Sequence, residues 1–156
     1  MKRNPMIHLF VSDIGAACFV KTDGDTLPGL QAMVEGWIEC TVSPRGEDAY
    51  FNEEGRFRED FYPNLVASYE VKVPLVGPVV FTRHDKDGKT TGLTKADIIR
   101  WKNLLEMEEN EGVWYDDDDP ASSPWTMNVS PVTVEYVTKM MADARASIKN
   151  ARSVKA

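Results

Sequence analysis

Ile7 to Lys21 reads IHLFVSDIGAACFVK. Two short runs rich in apolar, aromatic and β-branched residues, Ile7–Val11 and Ala17–Lys21, are separated by the turn cluster Ser12-Asp13-Ile14-Gly15. Runs this short suit strands better than helices, and a tight polar connection between them predicts a β-hairpin. The sheet therefore starts antiparallel. The pattern returns downstream, where Trp37–Val42 (WIECTV), the turn Ser43-Pro44-Arg45-Gly46 and Ala49–Asn52 (AYFN) form a second predicted hairpin. Asn52-Glu53-Glu54-Gly55 is too polar to prolong the strand and ends in a residue that tolerates positive φ, so it reads as the strand's exit turn. Gly77–Thr82 (GPVVFT) is the fifth strand, with Pro78 near its start, where a missing N–H does least harm.

Helical spacing fills the intervals. Leu27, Leu30, Met33 and Val34 recur at threes and fours, which predicts a short helix to about Glu35 with Gly36 as its cap. Asn64 precedes Leu65, Val66, Ala67 and Tyr69 as an N-cap. Thr94-Lys95-Ala96-Asp97 is close to a capping box, with Leu93 and Ile98 in the staple positions and an apolar face of Ile98, Trp101, Leu104 and Leu105. Ser130-Pro131 reads as an N-cap followed by proline at the first helical position. The stripe Val134, Val137, Met141, Ala144 and Ile148 then makes residues 131–150 a long amphipathic helix. Strands early and long helices late give an α+β fold, a mainly antiparallel sheet of about five strands packed with helices. At 156 residues, one domain spanning 1–156 is the expectation.

The formal charge of −7 is local. Residues 106–119 (EMEENEGVWYDDDD) hold eight carboxylates and no Lys or Arg, and outside them 17 acidic residues face 18 basic ones. With Pro120, Ser122, Ser123 and Pro124 following, residues 106–130 are expected to be an acidic mobile loop. A pI near 4.9 argues against direct nucleic-acid binding. The basic residues Lys139, Arg145, Lys149, Arg152 and Lys155 read as a solvated helix face. No apolar run is long enough to span a bilayer, and the apolar stretch Met6–Val11 is too short for a signal peptide. The expected compartment is a reducing cytoplasm. Cys18 and Cys40 lie in apolar, strand-like surroundings and are expected to be buried thiols.

Chemistry is sparse. GxSxG, GxxxxGK[ST] and GxGxxG are all missing, and His8 and His84 are the two imidazoles available as a base. His8 sits mid-strand, where packing explains it, and His84 precedes the turn Asp85-Lys86-Asp87-Gly88. Aligning Gly88 with the sixth position of a calcium loop puts Arg83 and Thr94 where acidic ligands belong, so the turn is not a calcium site. Four His and Cys scattered along the chain do not make a zinc site. Glu53, Glu54, Glu59 and Asp60 are better read as surface carboxylates than as an acid-base pair. No enzyme activity, cofactor or metal is expected.

Leu30-Gln31, Val34-Glu35-Gly36-Trp37-Ile38-Glu39, Asn52-Glu53-Glu54-Gly55, Pro63-Asn64, Ala67 and Gly77-Pro78-Val79-Val80 form an ordered pattern, LQ…VxGxIE…NEEG…PN..A…GxVV. Over about residues 27–95 the chain resembles a family of small domains of unknown function encoded largely by bacteriophages and other mobile elements. Where that family commonly carries two glycines before the Ile-Glu strand, this chain has Glu35-Gly36-Trp37. The resemblance implies a phage or plasmid accessory protein acting inside a bacterial cell, and it implies no reaction.

The leading expectation is a non-enzymatic accessory protein that binds a host protein and inhibits a host process or defence, with a phage protein as the other candidate partner. Its contact residues would be Trp114, Tyr115, Asp116, Asp117, Asp118, Asp119 and Trp125, aromatics set among charges. The alternative is a small-ligand, nucleotide-like binding or sequestering domain with Asn52, Glu53, Glu54 and Asn64 as polar contacts. A third reading is an acidic DNA mimic. The stripe of the C-terminal helix either packs on its own sheet or pairs with a second copy as a homodimer.

Overall fold

A computed structural model describes residues 5–105 and 131–154. Five strands, β1 (Met6–Val11), β2 (Ala17–Thr22), β3 (Ile38–Val42), β4 (Asp48–Asn52) and β5 (Val79–Thr82), make one antiparallel sheet in the order β2-β1-β5-β4-β3. Four helices accompany it: α1 (Leu27–Val34), α2 (Leu65–Val71), α3 (Lys95–Leu104) and α4 (Val134–Val154). The fold is α+β, with both expected hairpins in place. β1 and β5 occupy the centre of the sheet, pairing Leu9 with Phe81, Phe10 with Val80 and Val11 with Val79.

The pleat sends alternate residues to opposite faces, and helices cover both. Ile7, Leu9, Val11, Phe19, Ala49, Val79 and Phe81 pack on Ala67 and Val71 of α2 and Ile98 and Trp101 of α3. On the other face Phe10, Val20 and Val80 pack on Leu30, Met33 and Val34 of α1 and on Val137 and Met141 of α4. Burial on two faces explains why Leu9–Val11 and Val79–Phe81 are continuously apolar rather than alternating.

The helix ends refine the sequence reading. Asn64 caps α2 by accepting from the Ala67 N–H at 3.1 Å. Thr94 and Asp97 form the full capping box, so the shorter Asp does the work of Glu. At the end of α1 the left-handed residue is Glu35 (φ 65°), not Gly36. Gly36 is required for another reason: a Cβ there would stand 2.7 Å from Asn52 Nδ2. Pro131 does not open α4. Val132 forms a parallel bridge with Val20, bonding Phe19 O and Lys21 N, and Thr133 Oγ1 accepts from Tyr136 N as the helix begins; Ser130 lies outside the described residues.

Three more expectations change. Leu104 is exposed, so the inner face of α3 is Ile98 and Trp101, with Leu105 partly buried beside them. Arg145 is not on a solvated face: its side chain is 11% exposed, with Nη2 3.0 Å from Asp13 and 2.9 Å from Glu35. Cys40 is exposed and Cys18 half-buried, because β3 and β2 are the outermost strands.

Candidate functional site

On the face shared by α1 and α4, the side chains change from apolar to polar toward the N-terminal end of β1. Phe10, Val20 and Val80 give way to His8, Thr22 and Thr82. His8 is fully buried, and both ring nitrogens are engaged: Nδ1 lies 2.7 Å from Thr82 Oγ1 and Nε2 2.6 Å from Thr22 Oγ1. A neutral imidazole has one N–H, so one threonine accepts from the ring while the other donates to it. Burial lowers the His8 pKa from 6.5 to about 4. That basicity is too weak to activate a hydroxyl near neutral pH, so the trio locks the sheet end rather than forming a nucleophile and base.

Beside this lock opens a cleft of about 740 Å³. Met6, Thr22, Asp23, Gly24, Asp25 and Thr26 line one part of it, and Asp85, Lys89, Thr90 and Thr91 the rest. The carboxylates have local duties. Asp25 Oδ1 accepts from Leu27 N at the start of α1, and Asp85 Oδ1 accepts from Asp87 N and Lys89 N, closing its own turn. Nearby, His84 Nδ1 sits 2.6 Å from Asp48 Oδ2, an exposed imidazole on a buried carboxylate. Burial first, then the Asp48 charge, pushes the Cys40 thiol up to about 11, so it is a thiol and not a thiolate at neutral pH. Among the described residues no cluster of three or more His, Cys, Asp or Glu is arranged to hold a metal ion.

Of the ligand residues expected from sequence, Asn52 and Glu53 line one opening beside Arg56 and Pro74, and Glu54 and Asn64 do not join them. Asn52 Nδ2 donates to the carbonyls of Val34 and Glu35, and its Oδ1 accepts from Glu54 N, tying β4 to the end of α1. Asn64 Nδ2 donates to Val11 O and Gly77 O while its Oδ1 caps α2. Both amides are buried and spent on backbone, whereas Glu53 and Glu54 are exposed. Asp60 is held by Arg58, whose hydrogen bond lowers the carboxyl pKa. Trp114, Tyr115, Asp116 to Asp119 and Trp125 lie outside the described residues.

Sequence reasoning missed an apolar surface. α2 buries Ala67 and Val71 yet exposes Leu65 (78%) and Tyr69 (70%), one turn apart on the same side. Trp37 and Phe57 are exposed as well. The signal was present in LVASYEV: a helix this short has one inward side, and placing Ala67 inward turns Leu65 and Tyr69 outward.

No helix among the described residues is long and apolar enough to cross a membrane. No curated protein and no solved structure matches the chain. The sequence model of one family does match, over residues 7–106, the interval that holds the sheet apart from Met6 at the start of β1, together with α1, α2 and α3. That interval is more than half of the chain, which therefore belongs to the family of the domain of unknown function DUF3846.

Proposed function

We propose that the chain is a non-enzymatic accessory protein of a bacteriophage or other mobile element that binds a protein of the host cell and inhibits a host process or defence. The observation that carries the binding part is α2, a helix that buries alanine and presents Leu65 and Tyr69 to solvent. Large side chains turned outward while small ones pack the core are a pattern of contact surfaces, in which aromatic residues supply much of the affinity. The phage setting rests on the sequence resemblance, and the inhibitory role is inferred from that setting together with the small size of the chain. His8 is buried with both ring nitrogens bonded to Thr82 and Thr22, which leaves it no free nitrogen for acid-base work. A pull-down from bacterial lysate tests the reading with three baits: wild type, Leu65→Glu/Tyr69→Glu, and a chain lacking residues 112–125. The expected result is one host protein recovered in stoichiometric amount by wild type and reduced at least about tenfold by the double variant. Equal recovery by wild type and the double variant overturns the role of α2, and loss confined to the deletion moves the contact to the acidic segment.

A further inference from the structure

The sheet ends differently on its two sides. Beyond β2, Val132 bridges Val20, with Val132 N donating to Phe19 O and Lys21 N donating to Val132 O, so that edge is partly closed. Beyond β3, no strand pairs among the described residues. β3 reads Ile38-Glu39-Cys40-Thr41-Val42 and contains no Lys or Pro, two residues with which proteins often guard an edge strand; Glu39 is its one charge. Glu39 and Cys40 are exposed, and so is Val42 at 56%.

The backbone phase of this edge follows from the β3–β4 ladder. Glu53 N donates to Trp37 O, and Ser43 N donates to Glu47 O, which makes 37 and 43 hydrogen-bonded positions toward β4. Alternation then turns Glu39 and Thr41 toward β4 as well, leaving the N–H and C=O groups of Ile38, Cys40 and Val42 directed outward. An antiparallel second copy that uses all three must be centred on the middle one, Cys40.

We propose that β3 pairs with β3 of a second copy of this chain, antiparallel about a two-fold axis at Cys40, so that two five-stranded sheets join into one. In this register Ile38 faces Val42 of the second copy, Glu39 faces Thr41, and Cys40 faces Cys40. Apolar meets apolar and no like charges are opposed. A shift that centres the pairing on Glu39 would set two carboxylates directly opposite each other, a destabilising arrangement. A shift onto Thr41 would bring Pro44 opposite Ile38 and remove one donor from the ladder. The segment is therefore self-complementary in one register, which is the condition an isologous contact must meet. Each hydrogen-bonded pair places Cα atoms about 5.5 Å apart, within the span a disulfide bridges, so Cys40 reports on the contact.

The test uses the full chain, with Cys18→Ser as background so that Cys40 is the sole thiol. Sedimentation equilibrium over a dilution series should give a dimer of the 17.5 kDa chain, and copper-phenanthroline oxidation should convert it to a covalent dimer. Val42→Lys, which puts a guarding charge at an exposed edge position, should weaken the dimer at least about tenfold and abolish the rapid cross-link, with a melting temperature equal to that of the parent at concentrations where both are monomeric. A wild type that stays monomeric throughout overturns the proposal. So does a dimer equally strong in Val42→Lys, which would place the contact elsewhere, or equal cross-linking of both proteins, which would mark it as collisional.

Discussion

His8 shows what a single buried polar residue does in this chain. A strand position facing a helix-covered layer would ordinarily be apolar, yet His8 is kept there by hydroxyls on both neighbours, Thr22 on β2 and Thr82 on β5. The arrangement is stable while the ring is neutral. On acidification the unfolded chain takes up a proton near pH 6.5, but the folded chain resists until about pH 4. The unfolded state therefore binds more protons in that window, so stability falls as the pH drops through it. A difference of this size corresponds to about 3 kcal/mol. Urea unfolding of wild type and His8→Asn at pH 7 and pH 4 should show the acid loss smaller by about that amount in the variant; equal losses would mean that the ring is not held neutral by its site. Gly36 works at the same scale by omission. It leaves room for the Asn52 amide to reach the carbonyls of Val34 and Glu35, so the exit of α1 and the end of β4 are fixed by one contact.

At the scale of elements, α3 is fixed at its start by its own side chains. Thr94 Oγ1 accepts from Asp97 N, Asp97 Oδ2 accepts from Thr94 N, and the same carboxylate receives Arg83 Nε at 2.6 Å. Thr94→Ala should cost about 0.5 to 2 kcal/mol in thermal or denaturant unfolding. The companion Asp97→Asn should cost more, because it also leaves Arg83 without its partner. A smaller loss in Asp97→Asn would show that the ion pair adds nothing to the cap. Local rules of this kind were legible in sequence, as were the strands, whose aromatic and β-branched runs are short and bounded by turns. The errors fell where tertiary contacts override local preference. Glu35 takes the left-handed position because its carboxylate is wanted by Arg58 and Arg145, and Pro131 stays extended because Val132 joins the edge of β2. The polar cleft could not be read at all. Its lining comes from the β2–α1 connection and the turn after β5, segments about 60 residues apart that the sheet order brings together.

The family match ends at residue 106, yet α4 lies beyond it and completes the molecule. Val137 and Met141 are buried against α1 and the sheet, so the centre of the α4 stripe is already occupied within one chain. One turn after Met141, Arg145 reaches across the fold. Its guanidinium bonds Asp13 in the β1–β2 turn, Glu35 at the end of α1 and the carbonyl of Asp60, and it lies 4.6 Å from the centre of the Phe61 ring. Asp13 has a fully buried side chain that also accepts from Tyr62 N, so its charge depends on this one cation. Exposed ion pairs contribute little, but removing one partner of a buried pair strands the other in a poorly solvating interior. Arg145→Ala should therefore destabilise by about 3 to 5 kcal/mol. Arg145→Met should recover the packing over Phe61 without the charge, and adding Asp13→Asn to it should restore part of the loss by removing the stranded carboxylate. Denaturant unfolding of the four proteins checks the cycle. A loss below about 1 kcal/mol for Arg145→Ala would reduce the cluster to a surface ion pair. A double variant no better than Arg145→Met would show that Asp13 is solvated without its partner.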